Sequence, residues 1–424
     1  MRKTIINDYA ALIGVDWADK KHDVWVYNCD NANESHNVIE NTPECLTEWI
    51  NELHDTYNGA TVAIALEQSK GSLMYALSGH SFIHLYIINP ASLAKYRQTF
   101  YPSHSKDDPM DARLLMDLLL KHGEQFKRWK PDDEETRKIT LLNAERRKSI
   151  NMRTKLVQRL QSALKSYYPQ FLDLVTSTPT TEMACAFILK WPTLKSLQRA
   201  KPQTIRSFLY RHNFRCTKRI EKLIADIRTA TPLTKDNAII SVLSMTAESL
   251  AQEIRAVNNS IEKYDNAIDK LYRQHPDAFI FNSLPGAGKV LAPRLLATFG
   301  TDRNRFSCAS DIQAYSGIAP VVERSGNQEW IHWRWNANTF VRQSFQEFAN
   351  ASKRFSLWAK AYYQLQLERG KSHHAAVRAL AFKWQRIIFR CWKNKISYDE
   401  DLYIQSLKQN GSPLWSYIQN IQNA

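Results

Sequence analysis

The chain has 424 residues, enough for two or three domains with cores of their own. Hydrophobic residues make up 44% and charged residues 23%, an ordinary globular mix, and no apolar run approaches the ~20 residues of a membrane-spanning helix. The net charge of +15 opposes folding through self-repulsion and attracts a polyanion, most often nucleic acid, with a membrane surface as the rival reading. Met1-Arg2-Lys3-Thr4 runs straight into a polar stretch, so no signal peptide is expected. The six cysteines, Cys29, Cys45, Cys185, Cys216, Cys308 and Cys391, are scattered without a CxxC pair. That pattern argues against a zinc site or a disulfide framework and predicts free, mostly buried thiols in a reducing cytoplasm.

In chain order, residues 1–125 alternate between strand and helix patterns. Ala11 to Asp16 is a short apolar run typical of a buried strand. His22 to Asn28 follows a polar turn and carries Val24, Trp25 and Val26 as strand formers. Thr61 to Leu66 is another buried strand, ended by Glu67, and Phe82 to Ile88 another, stopped by Asn89-Pro90. Helices are predicted over Pro43 to Leu53 and Met110 to Lys121, which makes this an α/β layer domain.

Residues 126–275 are predicted to be helical. Lys138 to Tyr168 has apolar residues spaced in threes and fours. Leu243, Ala247, Leu250, Ile254, Val257, Ile261, Tyr264, Ile268 and Leu271 alternate steps of four and three. Such a heptad seam predicts a coiled coil or a long antiparallel helix pair. The intervening 176–242 is helical, basic and punctuated by proline, and its sequence assigns it no role. Residues 276–424 form a third, mostly helical region rich in tryptophan and arginine. It opens with the glycine turn Leu284-Pro285-Gly286-Ala287-Gly288-Lys289 and a helix over Val290 to Phe299.

Acids end the buried strands. Asp16 closes the first and Glu67 another, where an uncompensated carboxylate costs several kcal/mol. Asp108 and Asp111 stand three apart at a helix start, on one face. Converging, these oxygen ligands would suit Mg²⁺ or Mn²⁺, and a pair of such ions about 4 Å apart serves phosphoryl transfer. Taken singly, each acid also fits a turn or cap, and Asp108 and Asp111 complement the helix dipole.

Ile13-Gly14-Val15-Asp16, Leu66-Glu67, Ile88-Asn89-Pro90 and Lys106-Asp107-Asp108-Pro109-Met110-Asp111-Ala112-Arg113 together resemble the DEDD transposases of bacterial insertion elements, insertion-sequence family one-ten. That family includes bridge-RNA-guided recombinases and related DNA invertases. Leu284-Pro285-Gly286-Ala287-Gly288 is similar to its glycine turn. Phe306, Ala314 to Pro320 and Arg324-Ser325-Gly326 are similar to its serine-bearing segment. The resemblance covers about two thirds of the chain, in order. It implies a ribonuclease-H-like, Holliday-junction-resolvase-like domain whose metal-binding acids are Asp16, Glu67, Asp108 and Asp111. It also implies that Ser325 attacks a DNA phosphate to form a phosphoserine link, which a second strand's hydroxyl then displaces. With acids and serine in separate domains, the family's composite site between protomers implies a dimer or tetramer, with the heptad seam as a dimer contact. A guide non-coding RNA is a further implied partner beside DNA, and a nucleoid-associated place in the cytoplasm follows. The chain departs from the family in a longer middle region. It also carries Asn327 to Trp335 where many relatives place basic and glycine residues.

Bottom-up, Ser325 lies in a polar turn beside Arg324, which, like Arg334, could stabilise phosphate charge. A surface-turn serine reads the same way, and Ser316-Gly317 is an equal candidate without the resemblance. Gly286 and Gly288 before a helix can present N–H groups to a phosphate, beside Lys289, although the spacing is not that of a P-loop. Arg113 joins these as a nucleic-acid residue. So do basic clusters at Arg146-Arg147-Lys148, Arg153, Lys155 and Arg159, at Arg211 to Arg219, and at Lys383 to Lys393. Trp330, Trp333 and Trp335 offer a stacking platform for bases or, slightly favoured, a packed strand edge. Adjacent His373 and His374 point apart on a helix, which disfavours a metal role. The competing functions are a junction-resolving nuclease that uses water, and a nucleic-acid-binding protein with a degenerate site.

Overall fold

The computed structural model describes residues 5–67, 71–100 and 108–422, so Lys106 and Asp107 of the acidic motif lie outside the described residues. The chain divides into two compact units, Met1–Asp132 and Asp133–Ala424. No helix among the described residues is long and apolar enough to cross a membrane.

The first unit is built on a six-stranded sheet: β1 (Ala11–Asp16), β2 (Lys21–Asn28), β3 (Glu34–Glu40), β4 (Val62–Leu66), β5 (Ile83–Ile87) and β6 (Arg128–Trp129). Their order is β3-β2-β1-β4-β5-β6. β1, β4 and β5 are parallel, while β2, β3 and β6 run antiparallel to their neighbours. Every residue of β1 and β4 is buried, as unbroken apolar runs at the centre of a parallel sheet should be. Four helices cover the sheet: α1 (Pro43–Thr56), α2 (Ser72–Leu77), α3 (Pro90–Phe100) and α4 (Asp108–His122). Thr42 starts α1, its hydroxyl accepting from the Cys45 N–H at 3.2 Å with Pro43 in the first turn. Ala11, Ile13 and Val15 pack towards α1 and α2, and Leu12 packs towards α3 and α4. Gly14 and Asp16, by alternation, share the Leu12 face. Asn89-Pro90 does end β5 and at once opens α3, with Asn89 Oδ1 accepting from the Ala91 N–H at 2.8 Å. Sequence reading missed β3 and β6. Only Ile39 is buried in β3, a polar edge strand, and β6 has two residues.

The second unit starts with a long antiparallel helix pair, α5 (Glu134–Tyr167), later joined by α11 (Asn237–Gln274). Thr136 meets His275 at 2.9 Å, Arg146 pairs with Asp265, and Arg153 Nη1 donates to Asn258 at 3.0 Å, which fixes the antiparallel register. Between them come α6 (Gln170–Leu174), α7 (Glu182–Lys190), α8 (Leu194–Gln198), α9 (Pro202–Arg211) and α10 (Thr217–Thr229). The unassigned 176–242 is therefore a helical cap whose Phe187, Leu209 and Ile220 share a core with Leu160, Leu164, Leu250 and Ile254. The heptad seam is spent inside the chain, because Ala247, Leu250, Ile254, Ile261 and Ile268 are buried by α5 and this cap. The expected dimer contact along the seam is corrected accordingly.

At the other end of the pair, Ile139 and Tyr272 join the core of α12 (Ala278–Asn282), α13 (Gly288–Phe299), α14 (Ala309–Tyr315), α15 (Thr339–Ser352), α16 (Leu357–Glu368), α17 (His373–Asn394), α18 (Glu400–Gln409) and α19 (Leu414–Gln422). The division expected near residue 275 thus falls within one core. Trp358, Trp384 and Trp392 are fully buried there, and each indole N–H is satisfied: by Tyr398 at 2.6 Å, Ser352 at 2.8 Å and Gly300 at 2.7 Å. A hairpin of β7 (Val321–Ser325) and β8 (Gln328–His332) stands between α14 and α15 in sequence. All six cysteines are free, but only Cys185 and Cys391 are buried, while Cys216 and Cys308 are exposed. The expectation of mostly buried thiols fails, since helix N-caps at 216 and 308 lie at the surface.

Candidate active site

In the first unit the topology sets two of the acids side by side. Val15 pairs with Leu66 in the parallel β1–β4 register, so Asp16 and Glu67 follow side by side at the same sheet edge. Asp16 is buried and Glu67 half-buried. Helix α4 lies on β1 at Gly14, where an added Cβ would meet the Ala112 carbonyl oxygen at 2.0 Å and the Met116 nitrogen at 2.5 Å. Only glycine allows that approach, and it brings Asp111, the residue before Ala112, to the side of the sheet that Asp16 faces. Asp108 opens α4 and is exposed.

Asp111 is 1% exposed and is held by a forked pair from Arg97, Nε at 2.7 Å and Nη2 at 2.5 Å. A buried carboxylate needs a positive partner, and here α3 supplies it. Among the described residues, no group of three or more His, Cys, Asp or Glu side chains stands close enough to hold a metal ion. The acids fit a hard divalent cation in donor type, and Asp111 already sits against a positive charge.

Two neighbours escaped sequence reading. Asp23 lies opposite Asp16 in the β1–β2 register, is 3% exposed and stands 2.9 Å from His36 Nε2. Its signal was a carboxylate inside the strand pattern after His22. Arg97 gave no signal, because nothing local marks which acid it meets. Arg113 stacks over Trp25 at 5.3 Å and bridges to Glu34 at 3.3 Å, so this cation is engaged within its own unit.

In the second unit, the two candidate serines separate by burial. Ser316 is 0% exposed, donates to the Gln313 carbonyl at 3.1 Å and accepts from Gln385 at 2.6 Å, which makes it a core residue. Ser325 ends β7 exposed, paired with Gln328 across a two-residue turn. Gly326, at φ +58°, takes the left-handed position which that turn requires. Ser325 shares its hairpin face with Glu323 and Trp330. Arg324 faces the other way and donates to Glu329 at 2.8 Å. Arg334 is half-buried and donates to the Ala319 carbonyl at 3.3 Å. Only Trp333 packs, beneath Arg342 and Arg378 at 4.8 and 4.3 Å, whereas Trp330 and Trp335 are exposed. The preference for a packed strand edge is corrected for those two.

In the glycine turn, Gly286 packs against Phe355 and Ala351 with no room to spare, while Gly288 and Lys289 lie exposed at the start of α13. His373 Nδ1 lies 2.7 Å from the Tyr363 hydroxyl.

Two family models match the chain. One, described as "Transposase", covers residues 13–169, and the other, "Transposase IS116/IS110/IS902 family", covers 278–364, together more than half of it. The chain is 26% identical over 403 residues to "Mini-circle putative transposase for IS117" of Streptomyces coelicolor, covering 93% of this chain and 97% of that protein. It is 24% identical over 402 residues to "Insertion element IS900 uncharacterized 42 kDa protein" of Mycobacterium paratuberculosis, covering 91% and 96%. It is 23% identical over 304 residues to "Insertion element IS110 uncharacterized 43.6 kDa protein" of Streptomyces coelicolor, covering 70% and 73%. The matches cover the acid-bearing domain and the region holding Ser325, and they define a transposase, a DNA-processing enzyme. Within that class the chain belongs to the IS110 family.

Proposed function

We propose that this transposase cuts and rejoins DNA through a covalent bond from phosphorus to Ser325 Oγ, with Asp16, Glu67, Asp108 and Asp111 as ligands for Mg²⁺ or Mn²⁺. The observation that carries the reading is that Asp16 and Glu67 follow adjacent paired positions at one end of the parallel strands, with α4, which bears Asp108 and Asp111, packed on β1 at Gly14. The strand order, with a parallel β1-β4-β5 centre and antiparallel β2 and β3, supports a ribonuclease-H-like domain.

In the first step Ser325 Oγ attacks the phosphorus, its proton leaves, and the bond to one strand oxygen breaks as that oxygen takes up a proton. The phosphodiester now joins Ser325 to the other strand end. A hydroxyl of a second strand then attacks the same phosphorus, and the bond to Ser325 breaks as the serine regains its proton. A bound divalent cation supplies charge stabilisation for the transferring phosphoryl group. For Asp111 to contribute, Arg97 must release it. Arg324, freed from Glu329, and Arg334, Lys289, Gly286, Gly288 and Arg113 are the residues proposed to meet the nucleic acid. DNA is the substrate, a non-coding RNA selects the sites, and the working form is a homo-oligomer.

The test is covalent trapping on a denaturing gel, with Mg²⁺, co-purified RNA and DNA carrying the element ends. Wild type is expected to give a protein–DNA adduct, absent in Ser325→Ala and in Asp108→Ala. Cleavage without an adduct that persists in Ser325→Ala would overturn the serine mechanism in favour of a water-using nuclease.

A further inference from the structure

A cavity of about 130 Å³ in the second unit is walled by α5, α13 and α15, with Arg146, Arg147 and Arg294 facing a single Glu347. Arg294 is 5% exposed. Its Nε donates to Ser344 at 3.0 Å and its Nη1 to Glu347 at 2.5 Å, and its Cζ lies 4.8 Å from the centre of the Phe340 ring. Its Nη2 is buried without a hydrogen-bond partner. Glu347 also accepts from Gln343 at 2.5 Å, so one carboxylate serves both. Arg146 is taken by Asp265. Arg147, half-buried on the same wall, has no hydrogen bond or ion pair among the described residues.

Positive charge on this wall exceeds negative, and a buried guanidinium with an unused N–H is costly. Burial pulls the Arg294 pKa down, against the upward pull of Glu347, and the neighbouring Arg147 and Arg146 lower it further. Val290, in the first turn of α13, also lines the cavity, so the positive end of that helix dipole adds to the field. The space exceeds the ~30 Å³ share of one water. It falls well short of the ~300 Å³ at which pockets for larger ligands begin. A single tetrahedral oxyanion meets these conditions, and planar guanidinium forks match its oxygens.

We propose that the Arg146–Arg147–Arg294 cavity is a phosphate-binding site. The phosphate group comes either from a nucleic-acid backbone, which rests on the DNA-processing reading above, or from the free ion, which does not. The experiment uses the full chain, with Arg147→Gln and Arg147→Lys as variants, because Arg147 has no partner to orphan. Lys148→Gln, next door and paired with Glu145, is the surface control.

Two measurements are made: melting temperature in inorganic phosphate against chloride at matched ionic strength, and affinity for element-end DNA and for co-purified RNA across a salt series. A phosphate-specific rise in wild type, lost in Arg147→Gln, assigns the free ion. With no such rise, an affinity about tenfold lower in Arg147→Gln and a salt slope shallower by about one assign a backbone phosphate. In either case Arg147→Lys should recover only part of the effect, since it restores charge without the fork. The proposal is overturned if neither measurement separates Arg147→Gln from Lys148→Gln. Wild-type DNA binding with that result removes the cavity alone. Absence of wild-type DNA binding removes the DNA-processing reading, while the phosphate melting series still decides the cavity.

Discussion

A methyl group at position 14 has nowhere to go, because its obstacles are backbone atoms of α4 rather than side chains. Gly14→Ala is therefore expected to cost about 1–3 kcal/mol, read as a lower midpoint in urea unfolding. Arg97 makes a second test. Removing it leaves Asp111 buried and unpaired, at a cost of roughly 3–5 kcal/mol. Arg97→Ala should melt early in chelator and recover in Mn²⁺, whereas a variant that Mn²⁺ leaves unmoved would count against a metal at Asp111. Acids ending apolar runs were legible in sequence, because a carboxylate at such a point asks for compensation. The partner of Asp111, at its helix start, was not legible, since Arg97 reaches it through the packing of α3 on α4. Ser316 and Ser325 read alike until burial parted them.

Periodicity over Leu243 to Leu271 announced an apolar seam on a long helix, and α11 bears it out. It could not say whose surface covers the seam, and the answer is α5 and the 176–242 cap of the same chain. Ile254→Ala should thus cost about 2–5 kcal/mol. The loss should be the same at every protein concentration, as equilibrium unfolding at two dilutions would show, whereas a seam between chains would make it concentration-dependent. The start of α5 gives a pH test. Burial works against ionisation of Asp133, but hydrogen bonds from the Thr301 hydroxyl and from the Thr136 N–H and hydroxyl win, and its pKa falls to about 2. A depressed carboxyl stabilises the fold fully above its ordinary value of 3.8 and loses that contribution as pH falls towards 2. Melting curves of wild type and Asp133→Asn should differ above about pH 4 and converge towards pH 2.

For the whole chain, the acids and Ser325 belong to different compact units. If one protomer's acids serve another's serine, a mixture of Asp16→Ala and Ser325→Ala proteins should regain roughly a quarter of wild-type strand transfer in a dimer, while each alone stays inactive. No recovery after co-refolding would place both halves of the site in one protomer. The net charge of +15 announced a polyanionic partner from composition alone. The sequence could not indicate how little supports Ser325: every residue of β8 is exposed, and so are the last four of β7. A lone two-stranded ribbon is marginal in water. Its orientation then depends on what it leans against. If Ser325 is the attacking group proposed above, its line of approach would be set by the surface the ribbon meets rather than by the ribbon itself.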